Sequence, residues 1–143
     1  MTVKSILSTK GGDLFSIEPT ATLDNAVKLL AKHRIGALLV LGPDRRVIGI
    51  LSERDIVRVL AEQGAEVLTK PLSQVMTRKV VTVGPTETVG GIMEQMTLGK
   101  FRHVPVVEQD QVVGIISIGD VVKHRLHEME QESAALRDYI QSA

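Results

Sequence analysis

The chain has 143 residues, of which 43% are apolar, 17 are basic, 17 are acidic and none is cysteine. This length and apolar content fit one folded domain with its own core and exclude a disordered chain. The zero net charge argues against nucleic acid as a partner, because a phosphate backbone is bound through an excess of Lys and Arg. The lack of cysteine excludes disulfides and thiolate metal sites.

Membrane association is not expected. The longest apolar run, residues 35–41, is far too short to cross a bilayer. The start of the chain, residues 1–4, is not followed by the apolar core of a signal peptide. We therefore expect no membrane partner and a cytoplasmic location.

In chain order, the first half predicts a strand or extended segment, a helix, two strands and a second helix. Thr22 is placed to cap a helix, and β-rich runs at 37–41 and 47–51 predict buried strands on either side of a polar turn. A further helix follows Ile56 and ends near Gly64. The first helix is predicted from apolar residues spaced three and four apart: Leu23, Ala26, Val27 and Leu30.

The second half predicts the same elements in the same order. Thr88 is placed as a helix cap, runs at 104–107 and 112–116 predict strands, and a last helix starts at Val121. The first of these helices is predicted from Val89, Ile92, Met93 and Met96.

The tail from 124 to 140 contains neither Gly nor Pro and predicts an amphipathic helix. One face of this helix carries a mainly apolar stripe whose members are alternately three and four residues apart: Leu126, Met129, Ser133, Leu136 and Ile140. Such a helix packs on its own module or crosses to a partner. With fewer than three heptads, it is interpreted as an accessory to a dimer that forms mainly through other surfaces.

One sequence block occurs twice. Residues 49–57 and 114–122 both read Gly-Φ-Φ-Ser-x-x-Asp-Φ-Val, where Φ is apolar, and they start 65 residues apart. Upstream, residues 16–23 match residues 82–89. Repetition at this period indicates two pseudo-symmetric halves with a cleft lined from both. We divide the chain into repeats at 1–70 and 71–123 and a C-terminal helix at 124–143.

The β-α-β-β-α order, the duplicated block and the strand 103–107 make the chain resemble a tandem pair of cystathionine β-synthase (CBS) domains. The resemblance runs from Ser5 to about Lys123. It implies an α/β (α+β) module of two repeats packed sheet to sheet, a stand-alone CBS-domain protein that forms a homodimer and binds adenine nucleotides in the clefts between its repeats.

The repeated Asp and Ser residues are the main candidates for ligand contacts. The resemblance implies that Asp55 or Asp120 accepts hydrogen bonds from the ribose hydroxyls. Ser52 and Ser117 precede a helix N-terminus and suit ribose or phosphate. Each Ser-x-x-Asp also fits a helix capping box, which needs no ligand.

Further candidates surround these motifs. Arg102 and His103 stand where related CBS pairs present cations to phosphate, whereas the first repeat has Gly36 and Ala37 there. Arg54, beside Asp55, corresponds to Gly119, beside Asp120. Because the basic residues differ between the repeats, we expect asymmetric sites with at most one well-formed phosphate clamp. Without a ligand, His103 would make an interdomain hydrogen bond and Arg102 would be a solvated charge. Ser16 and Thr82 are assigned to contacts at the edge of the ligand. The base is expected to pack between aliphatic side chains, namely Ile17, Val83, Ile35 and Ile50.

The sequence predicts a regulatory module and no enzyme. It lacks a Walker loop and a Gly-x-Ser-x-Gly turn, and no catalytic or metal-binding residues are assigned. The expected ligand is AMP or another adenosine compound, namely ATP, NAD, NADH or S-adenosylmethionine, with no obligatory cofactor. A regulated protein is a possible further partner. The alternative is a scaffold whose clefts are empty.

Overall fold

The computed structural model describes residues 1–10 and 14–142 and contains five helices and two sheets within those ranges. The helices are α1 (Val3–Lys10), α2 (Leu23–His33), α3 (Glu53–Gln63), α4 (Val89–Gly99) and α5 (Ile118–Ser142). The strands are β1 (Ser16–Ile17), β2 (Ala37–Leu41), β3 (Val47–Ser52), β4 (His103–Glu108) and β5 (Gln111–Ser117). The predicted mixed α/β class is confirmed, and each predicted helix and strand has its counterpart here.

The predicted helix ends are also present. The Thr22 hydroxyl accepts the backbone N–H of Asn25 at 3.2 Å, and the Thr88 hydroxyl accepts that of Gly91 at 3.1 Å. Each bond satisfies a donor that the first turn of a helix leaves unpaired. Helix α3 ends at Gly64, whose φ of +74° would strain a residue with a side chain.

The two sheets repeat one plan. In the first, β1 runs parallel to β2, and β2 is antiparallel to β3. In the second, β4 is antiparallel to β5, and Val83 adds a parallel bridge to Val106 where β1 lies in the first sheet. The strand registers match as well, because Ser52 pairs with Ala37 and Ser117 pairs with His103. Each repeated serine therefore lies beside the first residue of the preceding strand.

The opening segments of the two repeats are exchanged between the cores. Val3 and Ile6 of α1 are fully buried in the second core, beside α4 and β4. Leu72, Val75 and Met76, which open the second repeat, are buried in the first core. A division at 70/71 thus separates the repeats in sequence but not in packing. The division at 123/124 falls inside the continuous helix α5.

The glycine of each repeated block accommodates the exchanged segment. Met76 lies against Gly49, and Leu7 lies against Gly114. A Cβ on Gly114 would come within 2.6 Å of Leu7 Cδ2, closer than real Cβ atoms approach other atoms. At both positions a neighbouring apolar side chain occupies the space of a Cβ, so a larger residue has to displace it.

Gly114→Ala is expected to lower the free energy of unfolding by about 1–3 kcal/mol, the usual cost of overpacking a core. Urea denaturation measures this change. The matched control is Gly90→Ala in α4, where no atom lies within 4 Å of the added methyl group. The control should be neutral or stabilising, by up to about 1 kcal/mol, through helix propensity. Equal effects at both glycines would contradict the packing role of Gly114.

Helix α5 extends well beyond the second core. Val121 is its one buried residue among those described, and every described residue from Met129 onward is exposed. Near its start the helix contacts α4 and α1. No helix within the described ranges combines the length and the apolar character that crossing a membrane requires.

Candidate functional site

A cleft of about 320 Å3 opens between the two repeats, and we call it the first cleft. The β3–α3 junction of the first repeat forms one wall. The segment 77–81 and the loop 100–103, both from the second repeat, form the other. The lining residues are Gly36, Ile50, Ser52, Glu53, Arg54, Asp55, Arg58, Thr77, Lys79, Val80, Val81, Lys100, Phe101, Arg102 and His103.

Asp55 is the buried acid of the first cleft, with 7% of its surface exposed. Its Oδ2 accepts the backbone N–H of Ser52 at 2.9 Å and the Ser52 hydroxyl at 3.1 Å. The Ser52 Oγ in turn accepts the N–H of Asp55 at 3.3 Å, which completes the capping box. The capping role proposed as an alternative is therefore real, and it occupies one carboxylate oxygen.

The other oxygen of Asp55 faces two side chains that line the first cleft. Its Oδ1 accepts the Thr77 hydroxyl at 3.3 Å and lies 3.3 Å from Nη2 of the exposed Arg58. Arg58 is exposed whereas Asp55 is buried, so a ligand that reaches Oδ1 has to compete with the Arg58 guanidinium. This oxygen is the one available to a polar ligand.

The first cleft has an excess of positive charge. Its acids are Glu53 and Asp55, and its cations are Arg54, Arg58, Lys79, Lys100 and Arg102. Apart from Arg58, none of these cations lies within 4.0 Å of a described acidic group. The cleft therefore suits an anionic ligand.

Asp120, the counterpart of Asp55, is paired with a lysine. Its Oδ2 accepts Ser117 N–H at 2.9 Å and the Ser117 hydroxyl at 3.0 Å, as in the first repeat. The same oxygen also accepts Lys10 Nζ at 2.7 Å, and Lys10 donates to the Ile115 carbonyl at 2.8 Å. Burial by itself would raise the pKa of Asp120, but the hydrogen bonds from Lys10 and Ser117 outweigh it and lower that pKa.

His103 lies at the junction of the two repeats. It is half-buried, and its ring packs beside Gly36 and the carboxylate of Glu53. Burial lowers the pKa of His103, and Lys10 and Arg102 lower it further, whereas Glu53 and Asp120 oppose the shift. The lowered pKa favours the neutral imidazole, whose N–H offers phosphate a hydrogen-bond donor.

The other predicted contacts are dispersed. Ile17 and Ile35 pack against the first core and border separate cavities along α2. Val83 is buried against Val106, Ala37 is buried beside Ser52, and Ser16 and Thr82 are exposed outside the first cleft. The structure brings seven predicted residues together in the first cleft: Gly36, Ile50, Ser52, Arg54, Asp55, Arg102 and His103.

Several residues of this region were missed from the sequence. Thr77 and Lys79 lie just before the block that starts at Thr82, and Lys100 lies two residues before Arg102. Their proximity to predicted contacts was the available signal. Lys10 gave no comparable signal, because it contacts Asp120 only through the packing of α1 on the second core. In the described part of the chain, no group of three or more His, Asp or Glu side chains is placed to hold a metal.

Comparison with known families identifies the fold. The model of the CBS domain matches the chain twice, over residues 3–62 and 72–127. The chain belongs to the CBS-domain family. The CBS domain-containing protein CBSX3, mitochondrial, of Arabidopsis thaliana is 34% identical over 98% of this chain and 72% of its own length.

Solved CBS structures superpose closely on this chain. The CBS-domain protein ATU1752 of Agrobacterium tumefaciens has a TM-score of 0.85 and 45% identity, covering 87% of this chain and 99% of its own. The CBS pair of MJ0100, solved with 5-methylthioadenosine and S-adenosylmethionine, has a TM-score of 0.79 and 27% identity over 90% and 98%. PAE2072 of Pyrobaculum aerophilum, solved with AMP, has a TM-score of 0.74 and 29% identity over 84% and 89%.

The lowered pKa of His103 predicts that stability depends on pH. The unfolded chain, with a histidine pKa of about 6.5, binds a proton more readily than the folded chain does. The free energy of unfolding is therefore expected to fall as the pH drops below neutrality through about 6.5 toward the lower folded-state pKa. Urea denaturation between pH 7.5 and 5.5 measures this slope.

His103→Gln should reduce that slope, because its side chain does not titrate. The control is His127→Gln, which changes an exposed histidine of α5 and should leave the contribution of His103 in place. An undiminished slope in His103→Gln would contradict the assignment.

Proposed function

We propose that this CBS pair is a regulatory module that binds an adenine nucleotide in the first cleft and signals through a change of conformation or partner. The observation that carries the proposal is the placement of Asp55 at the junction of the two repeats, beside four cations that have no acidic partner among the described residues. A carboxylate for a ribose, cations for phosphate and an apolar wall for a base are the groups that such a ligand needs.

Each part of the ligand has a counterpart in the first cleft. The ribose hydroxyls replace Thr77 and Arg58 at Asp55 Oδ1. The phosphate lies toward Arg102 and Lys100, with His103 as a further hydrogen-bond donor. The adenine packs against aliphatic side chains, because the cleft offers Ile50, Val80 and Val81 but few aromatic residues.

The charge of the cleft favours a phosphate-bearing ligand. Five basic side chains face two acidic ones, which attracts AMP, ATP or NAD-type ligands and disfavours the sulfonium cation of S-adenosylmethionine. CBS pairs vary in this respect, since PAE2072 was solved with AMP and MJ0100 with S-adenosylmethionine. For this chain we place AMP and ATP first.

The second candidate is a scaffold without a ligand, and one observation favours it. Ser52–Asp55 and Ser117–Asp120 both act as capping pairs, so neither motif needs a ligand to account for it. Helix capping does not explain the cations near Asp55 that have no acidic partner among the described residues.

Regulation requires that the ligand bind one conformation or assembly more tightly than another, because equal affinity for both would shift nothing. We propose that the protein is a homodimer and that the change of conformation alters its contact with a protein partner. In this proposal the protein catalyses no reaction. We also propose a cytoplasmic location, although the Arabidopsis relative is named as mitochondrial.

Asp55→Asn is expected to weaken AMP and ATP binding at least tenfold, through the loss of a charged acceptor for two hydroxyls. Isothermal titration of ligand-stripped protein with AMP, ATP, NADH and S-adenosylmethionine measures it. Asp120→Asn is the matched control, because it removes an equivalent capping carboxylate outside the first cleft. Its affinity should stay close to wild type. Equal losses in both variants would contradict the specific role of Asp55, and no binding of any of the four ligands by wild type would support the scaffold.

Arg102→Gln is expected to weaken AMP binding about tenfold, the usual effect of losing one charge-assisted hydrogen bond. Adenosine, which lacks the phosphate, should bind this variant as it binds wild type. Competition with a fluorescent nucleotide compares the two ligands. Lys28→Gln, on the outer face of α2, is the control and should affect neither. Equal losses for AMP and adenosine would contradict a phosphate role for Arg102.

A further inference from the structure

Helix α5 carries an apolar stripe from Leu126 to Ile140 that nothing described in the chain covers. Leu126, Met129, Leu136 and Ile140 are 55%, 51%, 60% and 63% exposed. They lie on one side of the helix, because their spacings alternate between three and four residues around Ser133. Val122, also exposed, continues the stripe toward the second core.

The isolated end of this helix is too short to be stable by itself. Residues 129–142 form 14 exposed helical residues, about 21 Å of helix at 1.5 Å per residue. Helices of this length are marginal in water without a packed face. The end of α5 therefore needs a partner for its stripe.

We propose that α5 pairs with α5 of a second copy as a parallel, in-register two-stranded coiled coil. This pairing specifies the geometry of the homodimer proposed above, and it does not depend on nucleotide binding. In heptad terms, the a positions are Leu126, Ser133 and Ile140, and the d positions are Val122, Met129 and Leu136.

The charges beside the stripe favour a second copy in this orientation. In a parallel pair, each g residue faces the e residue five positions later on the other helix. Arg125 then faces Glu130 of the second copy, and Glu132 faces Arg137 of the second copy. Both contacts join opposite charges, and two-fold symmetry makes each occur twice. The exposed pair between Arg125 and Glu128 costs little to exchange.

The antiparallel arrangement brings like charges together. In the antiparallel register that overlaps the whole stripe, Leu126 packs on Leu136 of the second copy. Glu130 then faces Glu130, Glu132 faces Glu132, and Lys123 faces Arg137. Like charges at these positions oppose association and set helix orientation. The same residues that stabilise the parallel pair thus disfavour the antiparallel one.

The parallel geometry has a structural consequence. Both modules lie at the N-terminal end of the paired helices, because α5 starts directly after β5. The two second repeats are then side by side. The paired helices extend the contact that the modules make, which compensates for the shortness of the stripe.

Cysteine cross-linking tests this orientation directly, since the chain has no cysteine of its own. Leu136→Cys puts one thiol at a d position, where a parallel pair brings the two thiols within disulfide reach. Mild oxidation of the full-length variant without nucleotide should give a covalent dimer, seen on a non-reducing gel. Gln131→Cys, at the outward f position, is the control and should stay monomeric on the gel.

The alternatives give different products. In the antiparallel register, the two thiols at position 136 would be about 15 Å apart along the axis, and only a mixture of Leu126→Cys and Leu136→Cys chains would cross-link between the two variants. Cross-linking in that mixture alone, or in none of the samples, would overturn the proposal. A nucleotide affinity that is normal in a chain that fails to cross-link would overturn the pairing and leave the proposed function intact.

The charge pattern is tested in the Leu136→Cys background. Glu132→Arg turns two attractive contacts into repulsive ones and should slow cross-linking about tenfold, if each reversal changes the energy by about 0.7 kcal/mol. Adding Arg137→Glu restores opposite charges between the two helices and should restore the cross-linking rate. Residues 132 and 137 are not neighbours on one helix, so this rescue requires contact between the two copies. No rescue by the double change would contradict the assigned g–e contacts.

Discussion

The exchange of opening segments between the repeats is the packing constraint on which the rest of the structure depends. Neither core is complete by itself, because Leu72, Val75 and Met76 fill the first and α1 fills the second. The halves therefore cannot separate without exposing apolar surface. The exchange also builds the site, since Thr77 directly follows Met76 and reaches Asp55, while Lys10 ends α1 and reaches Asp120. Each repeated carboxylate thus meets a residue from the segment that packs on its own core.

One local motif serves two purposes. Ser-x-x-Asp stabilises the start of a helix in both repeats through nearly identical bonds. Because the capped helix follows a strand end at the junction of the repeats, the same carboxylate is held in a fixed position beside the cleft. What differs is the opposing residue. Thr77 meets Asp55 with a neutral hydroxyl and leaves the exposed Arg58 as its one described cationic partner, whereas the ammonium group of Lys10 lies against Asp120 at 2.7 Å. A difference in one opposing residue therefore gives two repeats of unequal electrostatics.

The sequence predicted what local patterns control. Periodicity located the helices, Thr22 and Thr88 were recognised as caps, and the duplicated block located Ser52 and Asp55. It did not predict the exchange, because a segment as short as α1 has no signal for which core it joins. Lys79 and Lys100 were missed for a related reason, since an exposed lysine looks the same whether it faces a cleft or solvent. Ile17 and Val83 were assigned as base contacts because the chain has few aromatic residues, but both contribute to cores instead.

The two repeats are electrostatically linked through His103. Its pKa responds to Glu53 and Arg102 beside the first cleft and to Lys10 and Asp120 of the other repeat. A phosphate bound near Arg102 would add negative charge beside the imidazole, which favours its protonated form against the effect of burial. A protonated His103 would in turn repel the ammonium group of Lys10 and attract Asp120. Through His103, a nucleotide in the proposed site would therefore act on the Lys10–Asp120 ion pair of the other repeat.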